Sequence, residues 1–513
     1  MTSSQTVDAI VIGSGIGGLC CAALLARYGK DVLICERHTI PGGAAHGFER
    51  DGFTFDSGPS LYSGLSYRPS SNPLRVVLDA IGEDLDWATY TTWGCCLPEG
   101  NFPAPVGADA FAEILTELRG PAAAAQWRHL QAVMQPLGAA TLALPTAAAR
   151  YDWGAMLTLG RALPQMLPHL GAAFQLMGDF SAVIEGVVND PFLRNWIDLL
   201  CFLLSGLPAQ GTSAAEMAFM FAEWYRPEVV LDYPIGGSGA IINALVRGLE
   251  RHGGQLCLGA RVAEILTDTN RATGVRLQNG EVIQARQAVI SNASIWDTLA
   301  LLDESALPER FRRDRQATQP CPSFMHLHLG IDGTGLPDDL HCHYIFVEDW
   351  ARGVRAPQNV VAISIPSLLD PSLAPPGKQT IHAYTPATEP YEQWAGLDRR
   401  SPAYAEQKAA RSQILWQALE RVIPDIRDRS QTCLVGTPLT HQRFLNMHRG
   451  SYGPEIPATQ GVFPNALTPL PGLLLCGAST FPGIGVPAVA ASGMAAANTL
   501  VSVQQHWQLL QTI

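Results

Sequence analysis

Three glycines near the N-terminus have the spacing of a pyrophosphate-binding turn. Residues 8–12 are apolar and β-branched, which predicts a strand, and an Ala/Leu-rich stretch that predicts a helix follows the turn. Gly13 permits the tight turn, Gly15 lets the backbone approach a phosphate, and Gly18 allows the helix to pack closely on the strand. An ordinary glycine-rich turn is the alternative. The whole segment reads Gly13-Ser14-Gly15-Ile16-Gly17-Gly18.

A carboxylate lies where a bound ribose would need one. The next predicted strand, residues 31–35, ends at Glu36, roughly 20 residues beyond the glycines, where an acidic side chain accepts hydrogen bonds from ribose hydroxyls. Two more glycine turns follow, Pro41-Gly42-Gly43-Ala44 and Asp56-Ser57-Gly58-Pro59. Because Asp, Gly and Pro form turns in any protein, a plain β-turn is the alternative interpretation of the second one.

A second glycine-rich block lies close to the C-terminus. Residues 473–476 predict a strand, and Pro487 opens an Ala-rich predicted helix at its first position, where a missing N–H is not needed. The start of such a helix presents free N–H groups and the positive end of the helix dipole to a ligand. Gly483, Gly485 and Ala488 also satisfy the dinucleotide spacing, but no acidic residue follows at the required distance.

The middle of the chain predicts the rest of a nucleotide-binding sheet. Gly236 and Gly237 precede an amphipathic helix over residues 241–252. This segment has some features of a second dinucleotide turn, but Ile242 stands where the third glycine would be. Strand patterns and an Asn-Gly hairpin turn within residues 260–293 then predict a β-meander.

Composition narrows the class of protein. The chain has 513 residues, of which 47% are hydrophobic and 16% charged, and a formal net charge of -12. The length predicts two domains, and the acidic excess argues against a nucleic-acid partner. Low charge favours an apolar ligand or a membrane surface. The 11 cysteines form no Cys-x-x-Cys pair and are expected to stay reduced. With no secretory signal and no membrane-spanning run visible, we expect a cytoplasmic protein and leave peripheral membrane contact open.

Together these motifs resemble those of the carotene cis-trans isomerase and phytoene desaturase-like family, a branch of the flavin amine-oxidase-like superfamily. The similarity spans essentially the whole chain, and stretches such as residues 203–208 and 450–454 favour the isomerase group. It implies an α/β fold in which a Rossmann-type FAD-binding domain is interrupted by an α+β substrate domain. The expected FAD-binding segments are 1–100, 231–309 and 446–513, and the expected substrate-domain segments are 101–230, which is helical, and 310–445, a sheet plus helices.

The resemblance also implies a non-covalently bound FAD. In that family the glycine doublet lies near the diphosphate, and the stretch that contains Asp56 and Gly58 leads toward the flavin. The backbone at the position of Val262 brackets the adenine, and the C-terminal helix faces the negatively charged edge of the reduced flavin. Ala478 is a departure, because the family usually has an acid there, and only backbone or Ser479 could replace it. The expected cofactor-binding residues are Gly13, Gly15, Ile16, Gly17, Gly18, Glu36, Arg37, Gly42, Gly43, Ala44, Ser57, Gly58, Pro59, Val262, Asn292, Gly477, Ala478, Gly485, Val486 and Pro487.

The expected substrate side is apolar. The resemblance places the glycines at 236 and 237 over the substrate side of the flavin. A Met/aromatic stripe at helical spacing could line a tunnel for a long hydrocarbon, with ordinary core packing as the alternative. Glu216 has capping-box spacing from Ser213 and is interpreted as a cap rather than a catalyst. The candidate pocket residues are Gly236, Gly237, Met217, Met220, Phe221 and Trp224.

Two pairs of histidines have the alternation of a strand face. His326 and His328 form one pair, and His341 and His343 form the other. Either pair could bind a metal in principle, but exposed or hydrogen-bonded strand faces are the favoured interpretation, so we expect no metal site.

The expected chemistry is that of the flavin itself, because no nucleophile–base set or pair of carboxylates is visible. The leading interpretation is cis-trans isomerisation of a carotenoid-like polyene by reduced flavin. Desaturation or saturation of an isoprenoid is the alternative, with an electron donor or acceptor that the sequence does not identify. An amine oxidase is disfavoured because Lys30, Lys378 and Lys408 are the only lysines and none of them lies in a stretch near the proposed flavin. A non-catalytic carotenoid or lipid carrier is the alternative from another class.

Overall fold

The chain folds into short strands and helices grouped around two large sheets. The computed structural model describes residues 5–143, 145–268 and 271–512. The helices are α1 Ile16–Arg27, α2 Pro73–Ile81, α3 Ala108–Arg119, α4 Pro121–Leu142, α5 Gly154–Met166, α6 Leu170–Leu176, α7 Phe180–Ile184, α8 Pro191–Ser205, α9 Ala214–Trp224, α10 Ser238–Arg251, α11 Ile295–Ala300, α12 Glu309–Gln316, α13 Pro402–Arg411, α14 Gln413–Val422, α15 Ile426–Arg429, α16 Pro438–Leu445, α17 Val486–Thr499 and α18 Val503–Leu510. The strands are β1 Gln5–Ile12, β2 Val32–Cys35, β3 Gly47–Arg50, β4 Phe53–Asp56, β5 Tyr62–Ser63, β6 Trp87–Tyr90, β7 Thr92–Leu97, β8 Gly100–Pro105, β9 Leu231–Pro234, β10 Gln255–Cys257, β11 Val262–Thr267, β12 Ala272–Leu277, β13 Val282–Ser291, β14 Gln319–Pro320, β15 Ser323–Asp332, β16 His343–Val347, β17 Val360–Ser364, β18 Lys378–Glu389, β19 Ser430–Gly436, β20 Pro454–Glu455 and β21 Leu473–Leu475.

The first seven-stranded sheet combines the two ends of the chain. β1 lies between β2 and β13, and β21 pairs in parallel with the last part of β13. β10 extends the parallel part beyond β2, whereas β12 and β11 continue the other side as an antiparallel meander. α1, α10 and α17 pack on one face of β1 and β2, and apolar side chains of the meander cover the other. Burial on both faces explains the continuous apolar runs of β1 and β2. The predicted α/β fold with a Rossmann-type sheet is confirmed.

The second seven-stranded sheet, ordered β19-β15-β18-β17-β16-β7-β8, has two chemically different faces. Side chains alternate between the faces of a strand. On β15, Leu327 and Leu329 pack in the core that includes α14, whereas His326 and His328 lie on the opposite face. Phe48 and Phe55 of the β3–β4 hairpin both meet the ring of His328 edge-on, and their own two rings are tilted by 33°. The face of the second sheet that carries His326 and His328 is therefore the face that contacts the β3–β4 hairpin.

The helices α3, α4, α8 and α9 form a third core against the β7 and β16 end of the second sheet. Buried aromatic rings fill its centre. Phe111 stacks on Trp196 with a centroid distance of 4.8 Å and meets Trp127 edge-on at 5.0 Å. A small three-stranded sheet has the order β5-β9-β6. In the chain, its central strand β9 lies between α9 of the helical layer and α10 of the first sheet.

Two elements differ from the sequence-based expectation. α10 begins at Ser238, three residues earlier than predicted, because Gly237 turns the chain with a φ of +72° directly before it. β13 runs unbroken, where two strands are predicted, because its first part pairs with β12 and its last part with β21 while β1 pairs along its length.

The strand pairing bears on the expected domain division. The boundary proposed after residue 100 falls inside the β7–β8 hairpin, and both strands belong to the second sheet. A division near residue 91 fits the pairing better, and the other boundaries remain predictions. Among the described residues, no helix combines the length and apolarity required to cross a lipid bilayer.

Candidate cofactor site and active site

The N-terminal turn leaves no room for a side chain at Gly15 or Gly18. α1 begins at Ile16 directly after Gly15, and no side chain caps its first turn. A Cβ at Gly18 would lie 2.2 Å from the carbonyl oxygen of Gly13, and a Cβ at Gly15 would lie 2.8 Å from Nδ2 of Asn292. Gly13 also has a φ of +92°, which favours glycine. The first N–H groups of α1 are thus left for an anion.

Glu36 is held at the edge of this turn, at the end of β2. Its Oε2 accepts hydrogen bonds from the backbone N (2.8 Å) and Oγ (2.7 Å) of Ser14, and its Oε1 accepts one from the backbone N of His38 (2.7 Å). The backbone N of Ala260 donates to the carbonyl oxygen of Glu36 at 2.8 Å. This bond brings the start of β11, at Val262, to the same edge of the sheet.

Arg37, the next residue, is used differently. Its guanidinium donates to the carbonyl oxygens of Arg443 and Phe444 at the end of α16. The structure therefore places Arg37 as a link between the first sheet and α16, beside the predicted ribose site.

The second glycine turn lies against the first. The backbone N of Gly42 donates to the carbonyl oxygen of Ser14 at 3.0 Å, and a Cβ at Gly43 would lie 3.1 Å from the Cα of Gly15. Both glycines have positive φ, +116° and +56°. The two turns therefore form one continuous backbone surface.

The third turn packs on the second. A Cβ at Gly58 would lie 2.4 Å from the carbonyl oxygen of Ala44, and the Oγ of Ser57 donates to the same oxygen at 2.9 Å. The carbonyl oxygen of Pro59 accepts a hydrogen bond from the Oγ of Ser238 at 2.7 Å. The predicted residues of all three turns are therefore contiguous.

Asp56 fastens this third turn to the start of α10. Its Oδ1 accepts from the backbone N of Ser238 and its Oδ2 from the hydroxyl of Tyr233, both at 2.7 Å. The carboxyl is buried, and burial raises its pKa, although both hydrogen bonds oppose this. A Cβ at Gly237 would lie 2.8 Å from Oδ1, and Gly236 also has positive φ. These two glycines therefore stand beside the Asp56 segment.

The C-terminal segment closes over α1. α17 begins at Val486, one residue before the predicted start, with Pro487 in its first turn and no side-chain cap. Gly485 precedes it with a φ of +98°. A Cβ at Gly493 would lie 2.1 Å from the carbonyl oxygen of Gly17, so α17 and α1 are in backbone contact. Two uncapped helix starts from opposite ends of the chain thus belong to one structure.

Asn292 lies at the point where these segments meet. Cβ atoms at Gly15, Gly17 and Gly477 would lie 2.8, 2.8 and 2.5 Å from its side-chain amide. Asn292 directly follows β13, and its backbone N donates to the carbonyl oxygen of Ile12 at 2.9 Å. One amide therefore spaces the N-terminal turn from the C-terminal loop.

Ser479 has a structural role beside Ala478. Its Oγ accepts a hydrogen bond from the backbone N of Ile295 at 3.0 Å, at the first residue of α11. The side chain is buried. Since part of its acceptor capacity is used within the protein, Ser479 is a weak replacement for the acid that the resemblance expects at Ala478.

The Met/aromatic stripe packs mostly in the core. Met217, Met220 and Phe221 are buried in the third core, and Phe221 lies 5.6 Å, centroid to centroid, from Trp127. Trp224 is half-buried, and its Nε1 donates to the Oγ of Ser63 at 3.2 Å. The core-packing alternative describes these contacts, and Trp224 is the one member of the stripe with a side-chain hydrogen bond, to β5.

Sequence reasoning missed a cluster of four histidines. His326 and His328 of β15 meet His382 of β18 and His441 of α16. The two residues on β15 carried a visible signal, their alternation. The other two had none, because only the folded sheet brings β18 and α16 to β15.

Comparison with known proteins identifies the family. Residues 16–501 match the model of the flavin containing amine oxidoreductases. The chain belongs to this family. Prolycopene isomerase 2, chloroplastic, of an Oncidium hybrid cultivar is 34% identical over 97% of this chain and 84% of its own length. Phytoene desaturase (lycopene-forming) of Paracoccus sp. is 28% identical over 98% of both chains. An oxidoreductase crystal structure from Methanosarcina mazei matches with a TM-score of 0.62 at 19% identity, covering 95% of this chain and 99% of that one.

This flavin family membership makes the protein an FAD-dependent enzyme, as the motifs predicted. The residues fit a dinucleotide of this size and charge. The glycine turns form a backbone surface in which added Cβ atoms would collide, and two helix starts lack side-chain caps. A helix start without a side-chain cap suits a diphosphate or an electron-rich ring.

Proposed function

We propose that the enzyme isomerises cis double bonds of a carotenoid-like polyene, using reduced FAD. The observation that carries the proposal is the 34% identity to a prolycopene isomerase over 97% of the chain, with all three glycine turns assembled. Reduced FAD, when bound, supplies electron density that lowers the bond order of a nearby double bond. The protein's part is to bind, orient and exclude water.

The residues that would hold FAD follow from the geometry. The N–H groups at the start of α1 would bind the diphosphate, and Glu36 would accept hydrogen bonds from the ribose. The backbone at Val262 would border the adenine, since β11 reaches the edge occupied by Glu36. The start of α17, after Gly485, would face the negatively charged edge of the ring.

The experiment is a turnover assay that separates the alternatives by product mass. The purified holoenzyme is incubated without oxygen with a poly-cis carotene, with FAD either reduced or oxidised. Isomerisation gives a product of unchanged mass and altered absorption, and only with reduced FAD. A product lacking two hydrogens with oxidised FAD would favour desaturation, which the similarity to phytoene desaturases supports. No turnover in either state would favour the carrier alternative.

An amine oxidase is the less supported function. Relatives with that chemistry usually have a lysine beside the flavin, and none of the described turns contains one. Lys378 is the first residue of β18, and its Nζ lies 5.7 Å from the centre of the Phe53 ring. The same holoenzyme tested with primary amines should therefore show no flavin reduction.

We further infer that an apolar patch on α5 and α6 contacts a lipid bilayer. Trp153, Met156 and Met177 expose 72%, 80% and 74% of their surface, which is unusual for large apolar side chains. The hydroxyl of Tyr151 donates to the carbonyl oxygen of Phe481, which connects the patch to the loop before α17. The exposed apolar residues are Trp153, Met156, Leu157, Leu159, Leu163, Leu167 and Met177.

Vesicle flotation tests this contact. The wild type should float with uncharged phosphatidylcholine vesicles, because α5 carries only one charged residue, Arg161, and insertion would be apolar. The double change Trp153→Ser and Met156→Ser should reduce the bound fraction at least fivefold. Leu258→Ser, at an exposed apolar residue that is not part of the patch, is the control. Binding that survives the double change, or that requires anionic lipid, would contradict the inference.

A further inference from the structure

Four imidazole rings form one column on the polar face of the second sheet. His328 and His382 are directly opposite in the pairing of β15 and β18, and their rings stack at 4.2 Å with planes 7° apart. The rings of His382 and His326 are nearly parallel, with centroids 5.0 Å apart, as are those of His326 and His441, with centroids 4.6 Å apart. His326, His328 and His382 are buried, and His441 is half-buried. The column therefore extends from the interior toward the surface.

Hydrogen bonds join three of these rings in series. The Nε2 atoms of His441 and His326 are 2.5 Å apart, and Nδ1 of His326 is 2.7 Å from Nε2 of His382. Nδ1 of His382 is buried and has no hydrogen-bond partner among the described residues. The series thus ends in an open nitrogen, which is unusual for a buried polar atom.

The tautomers of a neutral series are coupled. If His441 donates through Nε2, His326 accepts at Nε2 and donates through Nδ1, so His382 accepts at Nε2 and carries a hydrogen on Nδ1. If the direction reverses, Nδ1 of His382 becomes an acceptor. The two directions differ by one proton moved along the whole series, from the surface end to the interior end.

The fourth ring fixes the column to the flavin-side turns. Nε2 of His328 donates to the carbonyl oxygen of Asp56 at 3.0 Å. Asp56 begins the third glycine turn, which the resemblance places beside the flavin. The open nitrogen of His382 therefore belongs to a ring stacked directly on one that contacts this segment.

A metal ion is a poorer explanation of the same cluster. Ligand nitrogens of His326, His328 and His382 lie within 4.8 Å of one another. Both nitrogens of His326 and one of His328 are already hydrogen-bonded. A metal would have to break this arrangement.

We propose that His441, His326 and His382 form a proton relay that ends at Nδ1 of His382 and exchanges a proton with the polyene. This inference rests on the proposed isomerase function. In the forward step, the N–H bond at Nδ1 of His382 breaks and the π electrons of a double bond form a C–H bond to that proton. The partner carbon is left as a cation conjugated with the rest of the polyene, and rotation about the former double bond becomes free. His382 regains a proton from His326, His326 from His441, and His441 from water, which becomes hydroxide. In the reverse step the C–H bond breaks, its electrons re-form the π bond, and the proton passes back along the series to the hydroxide, which becomes water again.

The electrostatics of the column favour a relay over a stored charge. Burial lowers the pKa of His328 and His441 to about 4 and that of His326 and His382 well below the usual value. Two other titratable groups lie beside the column. His46 further lowers the pKa of His328 and of His441, and the ring of Tyr384 stacks on His382. A lasting imidazolium is therefore unfavourable. A concerted shift leaves every ring neutral, so it avoids this cost.

Deuterium uptake tests the relay. The holoenzyme with reduced FAD is incubated with a poly-cis carotene in D₂O, and the all-trans product is analysed by mass spectrometry. The wild-type product should gain one mass unit in a large fraction of molecules. His382→Phe keeps a stacked ring but removes the proton, so turnover should fall at least tenfold and the residual product should lack deuterium. His441→Phe should lower both quantities in the same way.

The matched control is His343→Phe. His343 is another buried histidine, stacked on Tyr90 and bonded to Ser364, but it lies outside the column. Its variant should isomerise and take up deuterium as the wild type does. FAD content and the flavin spectrum report folding of each variant, and His382→Gln replaces His382→Phe if the latter does not fold.

The outcomes are distinguishable. A wild type that isomerises without deuterium uptake, or a folded His382→Phe variant within twofold of the wild-type rate, overturns the relay and leaves the isomerase proposal intact. A wild type that isomerises no carotene overturns the proposed function itself.

Discussion

The glycine turns and helix starts proposed to bind FAD, here called the cradle, and the histidine column both contact the Asp56 segment. The two regions are built in opposite ways. The cradle is made of backbone, and Cβ atoms at Gly18 or Gly493 would lie within 2.2 Å of a carbonyl oxygen. The column is made of side chains, which stack and exchange hydrogen bonds. In the first region an added atom must damage the fold. In the second, a ring of similar shape should preserve the fold and change only the chemistry.

The largest expected effect comes from Gly18→Val in the cradle. Its Cβ would collide with the backbone of Gly13 rather than with a flexible side chain, so the turn and α1 must separate. We expect a loss of about 3 kcal/mol or more in the free energy of unfolding and no retained FAD. Denaturant unfolding and flavin absorbance measure both. Gly160→Ala in α5, where a Cβ meets no atom within 4 Å, is the control and should not destabilise. A yellow Gly18→Val protein with one FAD per chain would refute the steric account.

The column should make the protein less stable in mild acid. The pKa values of His328 and His441 are about 4 in the folded state, against about 6.5 in the unfolded chain. Because the unfolded state binds protons first, stability is fully present above pH 6.5 and is lost as the pH falls toward 4. The loss is up to about 1.4 kcal/mol per pH unit for each histidine. Urea unfolding between pH 7.5 and 5.5 measures the slope.

His328→Phe sharpens that measurement. The variant removes one proton uptake site, so its stability should depend less steeply on pH than that of the wild type over the same interval. His129→Phe in α4 is the control, because His129 lies outside the column. Identical slopes for the wild type and His328→Phe would show that the column is not what titrates.

The same contrast explains what the sequence could and could not predict. The cradle is local, because Gly13 to Gly18 follow one another and their spacing is itself the geometry. α17 and β21 were also recognisable, since a loop between a strand and an Ala-rich helix is a local pattern. That the two ends meet came from the resemblance rather than from the residues, and their contact through Gly17 and Gly493 was not predicted.

The column could not be predicted in this way. His382 is 56 residues from His326 in the chain, and His441 is 115 residues away. Their contact depends on the pairing register of β15 with β18 and on the placement of α16. Neither this register nor the position of α16 can be predicted from the spacing of neighbouring residues. The alternation of His326 and His328 indicated one strand face, but whether that face was exposed or buried depended on the β3–β4 hairpin packed over it.

A smaller effect is expected at the ribose end of the cradle. Glu36→Gln replaces one of two acceptor oxygens by an amide that donates, while three protein donors converge on this side chain. We expect FAD affinity to fall about tenfold, which corresponds to about 1.4 kcal/mol. Titration of the apoprotein with FAD measures it. Glu264→Gln, an exposed carboxylate on β11 paired with Arg276, is the control. Unchanged affinity in Glu36→Gln would remove the residue from the ribose site.

The smallest effect should come from Ser479→Ala, which asks whether this residue replaces the acid missing at Ala478. If Ser479 serves only α11, the variant loses one hydrogen bond to the backbone N of Ile295, about 1 kcal/mol of stability, and keeps its FAD affinity within twofold. Thermal unfolding and FAD titration separate the two quantities, and Ser305→Ala, at an exposed cap, gives the background change. A fivefold or greater loss of affinity without a larger loss of stability would mean that a side chain, and not backbone alone, holds the flavin at this end. The cradle would then combine two kinds of contact, with backbone groups at the diphosphate end and a side chain at the flavin end.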